Sequence, residues 1–281
     1  MDSRSSFTLF IFILLIASMS SCSHSFYAPN DNIMVQLKEK NEFTISGSVV
    51  ALPNPFDLST EAEYSISTFQ VGYSPIKHLA IAGSYFSLND VEKEIYPVQG
   101  KGKIWNGALG TYYFINFREK DNIPDFHDYK VDASDKPFGL LFDLYAGYGE
   151  GNVQNTYYEG AKSIVDFQNY FIQGGFHFKS QYFDAGFSLK KSILNYHNFE
   201  TYYEINDADL NDIQNLMRNN TYNPLHLNMR VSGGFPFGKV YLNLNDVINE
   251  TEELKTLDFN VTLGIQLNVH DIFKSLKKRS K

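Results

Sequence analysis

The stretch LDFNVTLGIQLNV, residues 257–269, is apolar at every odd-numbered position and polar or glycine at every even one. A period of two sends successive side chains to opposite faces, so it predicts a β-strand. Strands usually run about 5–6 residues, whereas this alternation holds for thirteen. The pattern recurs. In Leu225–Phe235, Leu225, Leu227, Met229, Val231 and Phe235 share one face, and His226, Asn228, Arg230 and Ser232 the other. Phe183–Leu189 sets Asp184, Gly186 and Ser188 against Phe183, Ala185, Phe187 and Leu189. Phe138–Tyr148 sets Gly139, Asp143 and Gly147 against Phe138, Leu140, Phe142 and Leu144. Weaker alternation marks Phe43–Val50, Tyr64–Tyr73, Leu79–Leu88, Trp105–Phe117 and Val240–Asn249. Ile164–Phe178 is strand-like, but its polarity changes phase near Asn169, which leaves its faces unassigned. Together these make about ten strands.

The connections divide into two kinds. SPIK (Ser74–Lys77), Lys179–Gln181 and PFGK (Pro236–Lys239) are tight, while Ala51–Ala62, Asn89–Lys103, Glu150–Ser163, Asn195–Pro224 and Glu250–Thr256 are long and polar. With strands alternating up and down, the tight turns fall at one end and these long loops at the other; Arg118–Lys136 is the one long connection at the tight end. Outer-membrane barrels have this asymmetry, with short periplasmic turns, long external loops and an even strand number. Tyr73, Phe178, Tyr182, Phe183, Phe235, Phe237 and Tyr241 flank the tight turns, where an interfacial aromatic girdle would lie. The expected fold is therefore all-β: a closed antiparallel up-and-down transmembrane β-barrel of about ten strands. Its apolar face meets lipid and its Asn, Gln, Ser and Thr face lines the lumen. The alternative is a soluble exported β-barrel or sandwich lipoprotein that binds a ligand or partner, with the apolar face as its core.

The first residues set the compartment. Phe7–Ala17 (FTLFIFILLIA) is too short to span a membrane, which takes about 20 apolar residues, and has the length of a signal-peptide core, about 7–15. The only cysteine, Cys22, follows Ser20 and Ser21, a placement resembling a bacterial lipobox in which that cysteine is lipidated. The expected organisation is a signal peptide at 1–21, a periplasmic tether at 22–41, the barrel at 42–270 and a basic tail at 271–281. The net charge of −8 argues against a nucleic-acid partner, which needs a basic footprint.

The segment YAPNDNIMVQLKEKNEFTISGSVV resembles the start of a family of outer-membrane β-barrel lipoproteins of Gram-negative bacteria, through Tyr27, Pro29, Asn30, Leu37, Glu39, Lys40, Glu42, Ser46 and Gly47. Asn41 stands where that family carries glycine. The resemblance implies a barrel in the cell outer membrane, lipid-anchored on the periplasmic side, and no catalytic residues.

Candidate chemistry is sparse. A ten-stranded barrel is narrow, since eight strands are filled by their own side chains and open channels appear at about 16–18. The expected lumen charges are Asp143, Asp184, Lys190, Arg230 and Asp258, with Arg230 paired to Asp143 or Asp184, because an unpaired buried ion is costly. Such pairing either plugs the barrel or lines a small polar pore. For catalysis the candidates are His226, expected at the external rim facing inward, and His197 close to Glu200; a His–carboxylate pair serves as general base. In NDADLNDIQNLMRNN, Asp207, Asp209 and Asn211 have EF-hand spacing, but Asp212 replaces the glycine and Arg218 the glutamate, which rejects a calcium loop. Leu210, Ile213, Leu216 and Met217 repeat at helical spacing and predict a short helical lid over the mouth. No cofactor or metal motif is present. The reading is a non-enzymatic outer-membrane barrel with a structural, adhesive or small-pore role. Its expected partners are outer-membrane lipid and, through the long loops, small solutes or surface partners.

Overall fold

The computed structural model describes Tyr27 and residues 32–50, 63–92, 98–117, 138–157, 160–203, 205, 207–249, 254 and 259–273. Along the chain run β1 (Phe43–Val50), β2 (Glu63–Tyr73), β3 (Leu79–Glu92), β4 (Val98–Asn116), β5 (Phe138–Thr156), β6 (Lys162–Ser180) and β7 (Phe183–Tyr202). Helix α1 (Asp207–Asn219) follows, then the two-residue β8 (Thr221–Tyr222), β9 (Leu225–Phe235), β10 (Gly238–Val247) and β11 (Phe259–Asn268). Neighbours in sequence pair antiparallel, β7 pairs β9, and β1 pairs β11 from Thr44↔Asn268 to Val49↔Leu263. Ten strands thereby close a ring, with β8 hydrogen-bonded to the flank of β7. The tight turns β2–β3, β6–β7 and β9–β10 lie together at one end of it.

The apolar faces point outward. Leu109 is 62% exposed, Leu263 58%, Ile265 57% and Val240 53%, with Phe142, Ile172, Met229 and Leu242 beside them in the same belt. A water-soluble sandwich would bury this surface. Two aromatic tiers bound the belt. At the turn end, Phe43 packs on Tyr73, Phe117 on Phe138 and Phe235 on Phe237; toward the other end Tyr85 meets Trp105 and Tyr148 meets Tyr170. From Phe138 to Tyr148 is ten residues of β5. At about 3.4 Å per residue and a tilt near 40° that spans about 26 Å, against an apolar band of about 25 Å in transmembrane barrels.

Strand length is uneven. β9, β10 and β11 have 11, 10 and 10 residues and end near the upper aromatic tier, whereas β4, β5 and β6 have 19 each and β7 has 20. At the same tilt 19 residues reach about 50 Å, so half of the tall wall stands above the belt. The polar stretches expected as loops at Asn89–Lys103, Glu150–Ser163 and Asn195–Pro224 are corrected accordingly: β3 runs to Glu92, β4 starts at Val98, β5 runs to Thr156, β6 starts at Lys162 and β7 runs to Tyr202.

Above the belt the polarity of the two faces is exchanged. On β5, Phe142, Leu144 and Ala146 face outward below Tyr148, and Glu150, Asn152 and Gln154 face outward above it, while Val153 turns inward. On β6, Ile172 and Phe176 face out below Tyr170, and Val165 and Phe167 face in above it. The phase of the strand is constant across Asn169; only its surroundings change. Where the short wall has ended, the inward apolar face of the tall wall needs a cover. Helix α1 supplies it, with Ile213 and Leu216 fully buried against Phe86, Ile104, Val165, Phe167, Leu194 and Tyr196. The helix closes on Asn220, a left-handed residue (φ 35°) whose N–H donates to Leu216 O at 3.1 Å, and Tyr222 Oη donates to the same oxygen. Such a residue past the C-cap satisfies carbonyls that the helix leaves open.

Candidate functional site: the occupied lumen

Part of the tether expected outside the barrel, Tyr27 and residues 32–37, lies inside it. Residues 32–37 run through the lumen, each at most 2% exposed, and Tyr27 is buried further along. The segment alternates. Ile33, Val35 and Leu37 pack on a wall of Ala80, Ala82, Ala108, Tyr112, Leu141 and Tyr145, where small residues leave room for a strand. Gly72 leaves room too: a Cβ there would lie 2.5 Å from Val35 Cβ.

Polar side chains of β1, β2, β6 and β9 bind the segment's backbone. Gln70 Nε2 donates to Asn32 O (2.8 Å), Gln173 Nε2 to Ile33 O (2.6 Å), Arg230 Nη1 to Met34 O (2.9 Å), Thr44 Oγ1 to Val35 O (3.1 Å) and Lys179 Nζ to Gln36 O (3.1 Å). Five consecutive carbonyls thus each receive a side-chain donor. The two glutamines also accept, Gln70 Oε1 from Met34 N at 3.1 Å and Gln173 Oε1 from Ile33 N at 2.9 Å. A primary amide carries the same donor and acceptor pair as a peptide group, so these side chains act as a neighbouring strand would. Buried peptide groups must be satisfied, and here the barrel wall does it. Asn32 Nδ2 adds a bond to Ser188 Oγ at 2.8 Å. At Gln36 the backbone turns left-handed (φ 52°), and its side-chain Oε1 also takes a bond from Lys179.

At the turn end the segment is clamped as it enters β1. Glu42 Oε2 accepts from the N–H groups of Lys38 and Glu39 at 2.6 and 3.1 Å, and Asn41 N donates to Ser74 O. Burial works against the Lys38 ammonium, but the carboxylates of Glu42, Asp271 and Glu39 outweigh it and hold its pKa above the ordinary lysine value. At the far end Tyr27 Oη bonds His226 Nε2 at 3.1 Å, and its ring meets Phe167 edge-on at 6.1 Å.

The expected lumen charges are distributed around this segment. Asp143, Asp184, Lys190 and Arg230 face inward and are buried, while Asp258 and Cys22 lie outside the described residues. The expected Arg230–aspartate pair is corrected. Arg230 stacks over Tyr241 at 4.1 Å and donates to Asn243 Oδ1 (2.6 Å) and to Met34 O; the segment's carbonyl takes the place of a carboxylate. Asp143 instead meets His177 Nε2 at 3.0 Å, and Asp184 meets Lys239 at 2.7 Å and Lys179 at 3.8 Å. Lys190 Nζ lies 5.8 Å from the Phe171 ring centre.

Among the described residues, the two candidate histidines stand on opposite faces of the wall. His226 faces inward as expected but is occupied by Tyr27. The buried His177–Asp143 pair, which the sequence reading missed, is enclosed at 0% and 1% side-chain exposure. His197 lies at a bulge of β7 on the outer wall and bonds Asn195 O at 3.4 Å. An open groove of about 370 Å³ runs past it, with Lys103, Trp105, Glu150 and Asp166 along its sides. The two acids there are engaged, Glu150 by Tyr148 Oη and Asp166 by Asn198 Nδ2. Among the described residues no cluster of His, Cys, Asp and Glu fits a metal ion.

The functional residues that sequence reasoning overlooked are those of the segment itself. Its signal lies in Ile33, Val35 and Leu37, three alternating apolar residues within the expected periplasmic tether.

No known protein family matches the chain, and neither does any curated protein. Among solved structures, an outer-membrane channel from Pseudomonas putida F1 aligns over 84% of this chain and 97% of its own, at 8% identity and a TM-score of 0.33. CdiB from Acinetobacter baumannii aligns over 82% of this chain and 60% of its own, at 8% identity and a TM-score of 0.20. Both scores are too low to carry a functional likeness.

Proposed function

We propose that this protein is a non-enzymatic β-barrel of the outer membrane, closed at rest by its own N-terminal segment, with a structural or adhesive role carried by the cup that stands outside the lipid. The observation that carries the reading is the run of five consecutive carbonyls, Asn32 to Gln36, each received by a lumen side chain. A segment held so completely is part of the fold. The outer membrane is favoured by the outward apolar belt of about 26 Å, the turn-and-loop asymmetry and the export signal. The turn end then faces the periplasm and the cup faces outward. Outer-membrane lipid is the belt's partner; solutes or surface partners would meet the cup. Lipidation is proposed at Cys22 and is tested by palmitate labelling that disappears in Cys22→Ala.

Planar-bilayer recording tests the seal. The whole protein is expected to be silent, and a chain lacking residues 27–37 is expected to show steps. Steps from the whole protein, altered by Arg230→Ala, would favour the second reading, a small polar pore, for which the polar lower lumen speaks. A lipid- or peptide-hydrolysing activity abolished by His197→Ala or His226→Ala would overturn the non-enzymatic assignment.

A further inference from the structure

We infer that the barrel carries its own N-terminus outward, so that the chain preceding Tyr27 emerges at the cell-surface mouth and not in the periplasm. The inference rests on the sealed-lumen reading and adds a direction to it. That direction is recorded by β6, which serves as a ruler. Gln36 is bound by Lys179, beside the β6–β7 turn; Ile33 is bound by Gln173, six residues up the strand; Tyr27 packs on Phe167, six residues higher again. From Gln36 to Ile33 to Tyr27 the contacts therefore move from the turn end toward the cup. The other end of the run is fixed independently, since Asn41 is tied to Ser74 in the β2–β3 turn.

Tyr27 has already passed the belt. Phe167 lies three positions beyond Tyr170, which marks the upper aromatic tier, and Tyr27 belongs to the same apolar cluster as Ile213 and Leu216 of the covering helix. Return to the periplasm would need the chain to recross about 26 Å through a lumen that residues 32–37 already fill. From Tyr27 to Cys22 is five residues, which reach at most about 17 Å when fully extended. The distance decides the side. Acyl chains on residue 22 would enter the outer leaflet, opposite to the periplasmic anchoring implied by an ordinary tether.

Epitope accessibility on intact cells tests the direction in the full chain. A short epitope inserted after Ser25 is expected to bind antibody on intact cells, whereas the same epitope after Lys281 is expected to bind only after permeabilisation. A single thiol at Ser25→Cys, in a Cys22→Ser chain and probed with a membrane-impermeant maleimide, gives the same answer without an insertion. Heat-modifiable migration confirms that each variant has folded. In parallel, an Asn32→Cys/Ser188→Cys pair is expected to form a reducible cross-link, which reports that the segment is in the lumen whichever way it points. A cross-link together with both N-terminal probes silent until permeabilisation overturns the outward direction and leaves the sealed lumen standing. Failure of the cross-link in a folded barrel overturns both.

Discussion

Below Tyr148 and Tyr170 the barrel is apolar outside, and inside it sets polar side chains beside the apolar patch that seats Ile33, Val35 and Leu37. Above them the outer face is polar and the inner face largely apolar. The same strands, β4 to β7, run through both regimes; β4, β5 and β6 keep their two-residue period throughout, and β7 carries one bulge at His197. In the lower half Phe142, Leu144 and Ile172 face outward while Asp143, Gln173 and Lys190 face in. In the upper half Lys103, Glu150 and Asn152 face outward while Ile104, Val165 and Phe167 face in. The antiparallel ladder continues through both apart from the bulge at His197, so on the proposed reading what distinguishes them is the medium each face meets. On the proposed reading, one barrel wall thus meets lipid along its lower half and water along its upper half.

Substitutions can break the contrast. The largest effect is expected in the upper core. Phe167→Ala removes the ring that packs between Tyr27 and Tyr196 and should cost about 3–5 kcal/mol, whereas Phe142→Ala on the lipid face should cost much less; denaturant titrations in detergent or lipid compare the two. Next, Leu242→Arg, in the middle of the belt, should cost about 2–4 kcal/mol in a bilayer. The same charge at Asn152, on the same face of the wall but above the belt, should shift stability by no more than about 0.5 kcal/mol. If both arginines cost alike, the upper tier is not the membrane boundary. Third, Gly72→Ala forces a Cβ against Val35 and should cost about 1–3 kcal/mol by overpacking, read as weaker protection of the segment from amide exchange. The smallest effect is at the segment's foot. The folded pKa of Lys38 is raised, so its contribution is complete below its ordinary value of 10.5 and is lost as pH rises through the higher folded value. Lys38→Met should remove that alkaline step and leave the neutral-pH fold intact, as pH titration of segment protection would show.

Much of the barrel was legible from residues such as those of β9 and β11, because a short wall stays within one regime and its alternation keeps one polarity. The strands that misled are the tall ones. Glu150, Asn152 and Gln154 read as loop because their polar face points outward, and Asn169 read as a phase slip because it lies where the surroundings change. Lys190 and Arg230 were placeable in the lumen by phase, but their partners were not. Arg230's partners, Met34 O, Asn243 and Tyr241, come from residues up to 196 positions away.

Local pattern suffices for the period, the approximate strand number, the end at which the turns gather and the covering helix, because each depends on neighbours within a few residues. The tertiary structure decided which surroundings each face meets and what fills the ring. Neither can be read locally: the height of a strand relative to its neighbours appears only once the register is set, and a segment's place in the lumen depends on donors contributed by β1, β2, β6 and β9 together.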